Sequence, residues 1–100
     1  MTDDWRSGDV DELIGALLRI DDPDEAARFL RDLCTLGELE ALTHRLQVAR
    51  MVARGIPYAA VAEEIGASTT TVTRVAHWLR HGEGGYRLVL DRRSRSTRRP

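Results

Sequence analysis

The chain has no lysine, no asparagine, a single cysteine and only five aromatic residues among its 100. One cysteine, Cys34, excludes an internal disulfide and suits a reducing compartment. With so few aromatic rings, leucine, valine and alanine must build most of the core. No apolar run approaches the length that crosses a bilayer, and no charged-then-apolar leader is present. A cytoplasmic protein without membrane contact is therefore expected, associated with the nucleoid when bound to DNA. A Gly-rich phosphate loop, a Ser/His/Asp set in strand-turn-helix context and an isolated carboxylate pair are all missing, so no enzyme, cofactor or metal site is read. The absence of lysine makes all fifteen basic residues arginine, which reflects coding bias before any demand for guanidinium chemistry.

The charge that is present is unevenly placed. The formal net charge is −1, yet residues 1–44 hold twelve acids against Arg6, Arg19, Arg28 and Arg31. Residues 45–100 hold eleven arginines against Glu63, Glu64, Glu83 and Asp91. A partner feels the local field, so the second half can face nucleic acid although the whole chain is near neutral.

Every segment reads helical, and no alternating strand pattern occurs. Residues 1–8 read as a frayed N-terminus. Val10, Leu13, Ile14, Leu17 and Leu18 form one amphipathic stripe, with Asp9, Asp11 and Glu12 placed for its N-terminal dipole. Asp22-Pro23-Asp24-Glu25 is a compact start signal: an N-cap, proline at the first helical position and a reciprocal glutamate. Thr35-Leu36-Gly37-Glu38 repeats the capping box and begins a third helix that runs to Arg54, ended by Gly55. Its main stripe is Leu39, Leu42, Leu46, Ala49 and Ala53, while Val48, Met51 and Val52 are apolar on other faces. A helix apolar on several sides needs cover on several sides. Leu39, Leu42, Leu46, Val48, Met51 and Val52 are accordingly expected at a homodimer interface, the alternative being a central helix wrapped by its own neighbours.

Residues Tyr58 to Arg80 read as a helix-turn-helix. Val61, Ala62 and Ile65 share a face of its first helix, and Gly66 sits where the chain must take a positive φ. Ser68 is placed to cap the second helix, which buries Val72, Val75, Ala76 and Leu79 at i, i+3, i+4 and i+7. Ser68, Thr69, Thr70, Thr71, Thr73, Arg74 and His77 are the expected DNA-binding residues, because hydroxyls and an arginine on an exposed helix suit phosphates and major-groove base edges. His77 and His81 stand one turn apart, but with no third ligand evident they read as contacts on the DNA side. Cys34 reads as a small buried apolar residue. After a glycine-rich link, Tyr86, Val89 and Leu90 make a short helical stripe. The domain thus spans residues 9–90, and residues 91–100 read as a basic disordered tail.

Several of these segments, in this order, resemble the Trp repressor family. They are Leu33-Cys34-Thr35, Glu38-Leu39-Glu40-Ala41-Leu42, His44-Arg45, Ile65-Gly66-Ala67-Ser68, Thr71-Val72-Thr73-Arg74 and Gly82-Glu83-Gly84-Gly85-Tyr86. The likeness spans residues 29–92 and is closer to the YerC/YecD-like branch of Trp-repressor-related proteins. It implies an all-α, intertwined homodimer whose two reading helices meet successive major grooves of a palindromic operator. In that family the corepressor's indole lies between two arginines beside a threonine. The resemblance places these at Arg45, Arg74 and Thr35. A glycine expected after the second arginine is Val75, and a serine three residues further is Trp78. These bulky side chains are expected to fill the indole's volume, with Trp78 stacked on Arg45 or Arg74 as a cation–π pair.

The reading that follows is a sequence-specific transcription regulator of repressor type, without tryptophan as corepressor and with any other small-molecule effector undefined. The competing reading is a protein-interaction module that keeps the helix-turn-helix as scaffold and engages a basic partner through its acidic half.

Overall fold

A computed structural model describes residues 5–92, and the described chain is all-helical. The helices are α1 (Gly8–Leu17), α2 (Pro23–Leu33), α3 (Leu36–Ala53), α4 (Tyr58–Ile65), α5 (Thr69–His81) and α6 (Gly85–Asp91), with no strand among the described residues. Residues 1–4 of the expected frayed segment and residues 93–100 of the expected tail lie outside them. The chain divides into two compact units, Met1–Leu39 and Glu40–Pro100, with the boundary inside α3.

The first unit is built from well-capped helices. Ser7 accepts from the Val10 N–H at 3.3 Å and caps α1, while Arg6 pairs with Asp11 at 2.7 Å. Asp22 accepts from the Glu25 N–H at 2.8 Å, Pro23 opens α2, and Glu25 reaches back to the Asp21 N–H at 2.9 Å. Thr35 and Glu38 close both bonds of a capping box at 3.0 and 2.8 Å. These contacts satisfy the donors that each helix start leaves free. Burial is another matter: neither α1 nor α2 has a buried residue, and Leu13, Leu17, Leu18 and Leu33 are exposed. Cys34, expected to be buried, is half-exposed at the end of α2.

The second unit holds the core. Val48, Ala49 and Val52 from α3 join Val61 and Ala62 from α4, and Val72, Val75, Ala76 and Leu79 from α5. Tyr86 and Leu90 of α6 pack against this cluster. The α5 stripe falls where its i, i+3, i+4, i+7 spacing predicts. Of the α3 stripe only Ala49 is buried. Val48 and Val52, expected at a partner interface, are 0% and 6% exposed within their own chain. Ala53, expected to face inward, is exposed. The reason is that α3 scatters its apolar residues around the helix among Glu40, His44, Arg45, Gln47 and Arg50, so its periodicity selects no face and the residues of α4 and α5 that meet it decide the register. Leu42 is left exposed, while Leu46 and Met51 are half-buried.

Candidate nucleic-acid interface

A sharp turn positions the candidate site. Gly66 ends α4 at φ 81°, a conformation that any side chain would strain, and its N–H donates to the Ala62 carbonyl at 2.8 Å. The Ala67 N–H reaches the same carbonyl at 3.0 Å, so the end of α4 is satisfied without lengthening it. Two residues later Ser68 caps α5 by accepting from the Thr71 N–H at 3.1 Å. Ala62 and Ala76, both buried, keep the facing surfaces of α4 and α5 small.

The exposed surface of α5 carries a shallow depression of about 490 Å³ lined by Thr69, Thr70, Thr73, Arg74 and His77. Five of the seven expected DNA-binding residues therefore come together. The other two do different work. Ser68 is committed to the cap, and Thr71 is half-buried with its hydroxyl 3.1 Å from the Ser68 hydroxyl. Thr71 points toward a second, larger cavity on the other side of the helix. At 100° per residue Thr70 and Thr73 share a face, whereas Thr71 is rotated away from Thr70 by a full step. Arg74 borders both spaces and has no ion pair among the described residues.

That second cavity measures about 1010 Å³. Ala41, His44, Arg45 and Leu46 of α3 form one wall. Thr71, Arg74, Val75 and Trp78 of α5 form another, and Tyr86 and Val89 of α6 a third. Arg45, Arg74, Val75 and Trp78 are thus brought together as expected, but the space between them is open. Val75 is 5% exposed and belongs mainly to the core, and Trp78 is 54% exposed and serves as a wall. Thr35 belongs to the first unit, where it caps α3.

The expected stacking of Trp78 on an arginine is not what the structure shows. Trp78 meets the His77 ring edge-on, with centroids 5.8 Å apart at 85°. The cation–π contact among the described residues is instead Arg80 over Tyr58, at 5.9 Å. Stacking needs the cation over a ring face, and among the described residues no arginine lies over the Trp78 indole. Two further residues make contacts that carried no sequence signal. Tyr58 receives a hydrogen bond from Arg80, 22 positions away, a separation that no local pattern encodes. Gly82 read as part of a flexible link and of the family-like segment Gly82 to Tyr86, and a Cβ there would meet the Trp78 carbonyl oxygen at 2.4 Å and its ring at 3.0 Å. Of the eleven arginines of residues 45–100, Arg93, Arg95, Arg98 and Arg99 lie outside the described residues.

Comparison with known proteins extends the likeness beyond residues 29–92. The sequence model of the Trp repressor protein family matches residues 8–94. The chain is 41% identical over 90 residues to YerC of Bacillus subtilis (strain 168), described as an uncharacterized protein, covering 90% of this chain and 86% of that one. A crystal structure from Staphylococcus aureus, whose description suggests a Trp repressor, superposes with TM-score 0.83 at 42% identity, covering 89% of each chain. The crystal structure of a TrpR-like protein from Eubacterium eligens ATCC 27750 gives TM-score 0.84 at 38% identity, covering 89% of this chain and 92% of that one.

Proposed function

We propose a function from the premise that the chain belongs to the Trp repressor family. It is a sequence-specific, double-stranded-DNA-binding transcription regulator of repressor type, not an enzyme, and it acts as a homodimer in the cytoplasm. In this reading α4 and α5 are a helix-turn-helix, and α5 enters the major groove. The observation that carries the proposal is the outward face of α5, where Thr69, Thr70, Thr73, Arg74 and His77 border one depression. Those groups offer hydrogen-bond donors and acceptors and one fixed positive charge, which is the chemistry that phosphates and base edges accept.

The homodimer is supported by the uncovered apolar surface of the first unit. Leu13, Leu17, Leu33 and Leu36 are all exposed in a single chain, and two well-formed amphipathic helices with nothing buried call for a partner surface. A two-fold dimer would present its reading helices about 34 Å apart, to half-sites of a palindrome.

The family's corepressor is not carried over. Trp78 and Val75 replace the small residues beside the indole, and Trp78 already supplies an aromatic wall. The cavity is open at about 1010 Å³, so the reading rests on these replaced residues and not on a filled volume. We therefore propose operator binding in its absence.

Selection of bound fragments from genomic DNA, followed by salt titrations on the best fragment and on generic DNA, tests the whole reading. Affinity should fall steeply with salt on both, with the selected site at least about 10³-fold tighter. Equal affinity for both DNAs would favour the interaction-module reading.

A further inference from the structure

His77 and His81 stand one turn apart on α5, both exposed, with ring centroids 5.2 Å apart and planes tilted by 44°. One nitrogen-bound metal ion shared by two imidazoles, each at ~2.0–2.1 Å with a tetrahedral angle between them, sets ring centres roughly 5 Å apart. The 5.2 Å separation of the two rings matches that spacing, and turning the exposed side chains can aim one nitrogen of each at a shared ion. His77 is also held edge-on against the Trp78 indole, with centroids 5.8 Å apart, which restricts the rotamers that must be ordered on binding.

We propose that His77 and His81 form a two-histidine site for a nitrogen-seeking divalent transition ion, and that the bound ion strengthens DNA binding. The class is Zn2+, Ni2+ or Cu2+, because imidazole suits these ions and a two-ligand site leaves selection to intrinsic affinity. No group of three or more metal-ligating side chains occurs among the described residues, so the remaining coordination positions are open to water or to an outside oxygen. His77 borders the same depression as Thr70, Thr73 and Arg74. An ion there adds two positive charges at the edge of that face, and a DNA phosphate oxygen can complete its coordination. Arg74, one turn before His77, repels the cation and keeps the site weak until the phosphate arrives. Metal and DNA then favour each other reciprocally.

The DNA half of this inference rests on α5 being the groove helix, so the two halves are measured separately. Zn2+ calorimetry on the full chain, carrying no polyhistidine tag and without DNA, should show one ion per chain. His77→Ala and His81→Ala should each weaken binding by roughly tenfold or more, and His44→Gln should leave it unchanged. Cu2+ electron paramagnetic resonance should show two nitrogen ligands, reduced to one in either alanine variant. Absence of saturable binding up to about 1 mM, or binding that survives both alanine variants, overturns the site. On the selected DNA fragment, affinity with Zn2+ should exceed affinity with a chelator severalfold, and His81→Ala should abolish that difference. Zn2+ bound at the pair with unchanged DNA affinity overturns the coupling. A chain that binds no DNA under any condition defeats the functional reading, while the calorimetry still decides the chelate.

Discussion

Arg80, near the end of α5, donates a 2.6 Å hydrogen bond to the hydroxyl of Tyr58, the first residue of α4, with its guanidinium carbon 5.9 Å from that ring's centroid. The bond joins the two ends of the helix pair that lie farthest from the Gly66 turn. The turn and this clasp together hold α5 against α4. Tyr58→Phe and Arg80→Ala should each lower stability by about 0.5–1.5 kcal/mol, discounted for the exposure of Arg80. A double-mutant cycle by denaturant unfolding should give a coupling of roughly 0.5–1 kcal/mol. Strict additivity would show that the clasp contributes nothing.

Gly82 is a close-packing position. An added Cβ would meet the Trp78 carbonyl oxygen at 2.4 Å, and backbone cannot step aside as a flexible side chain can. Gly82→Ala should cost about 1–3 kcal/mol and alter the fluorescence of Trp78. In a Trp78→Ala background the cost should persist, because the carbonyl contact remains. Its disappearance would assign the clash to the ring alone.

On DNA, Thr70→Ala and Thr73→Ala should each cost about 1–3 kcal/mol on the preferred site and relax specificity at one position, with little effect on the melting point. Thr71→Ala and Ser68→Ala should act through the α5 cap, Ser68→Ala lowering stability by about 0.5–2 kcal/mol. Selective loss of base preference in Thr71→Ala, at unchanged stability, would place the reading face on the wrong side of α5.

A homodimer makes unfolding a function of concentration, since dissociation and loss of structure are linked. Scattering at micromolar concentration should give twice the 11.2 kDa chain mass, and the melting point should rise with concentration. Leu17→Asp and Leu33→Asp should each drive the chain toward monomer. A compact 11.2 kDa species with a fixed melting point would remove the dimer.

Calorimetry with L-tryptophan should show no saturable heat at physiological concentration, with or without the selected DNA. Trp78→Ser is the variant that tests the cavity, since Trp78 is exposed at its wall. Val75→Gly would instead hollow out the core, because Val75 is 5% exposed. Tryptophan binding that tightens DNA affinity in the unmodified chain would restore the family's corepressor.

Caps, turns and the α5 stripe were legible from sequence because they are local. Asp22-Pro23-Asp24-Glu25 and Thr35-Leu36-Gly37-Glu38 specify helix starts within four residues, Gly66 specifies a turn by its φ, and Val72, Val75, Ala76 and Leu79 specify one face by their period. The same local chemistry brought Thr69, Thr70, Thr73, Arg74 and His77 onto one surface. Tertiary structure decided what periodicity left degenerate. An α3 whose apolar residues are scattered over several sides has no preferred face, so packing with α4 and α5 chose Val48, Ala49 and Val52 and left Leu42 outside. It also decided that Thr71 serves the cap and the cavity, that the space beside Arg45 and Arg74 stays open, and that Arg80 finds Tyr58 across 22 residues. Each of these depends on distances between elements, and those distances follow from side-chain volume and close packing across the chain, not from the order of residues within any one segment.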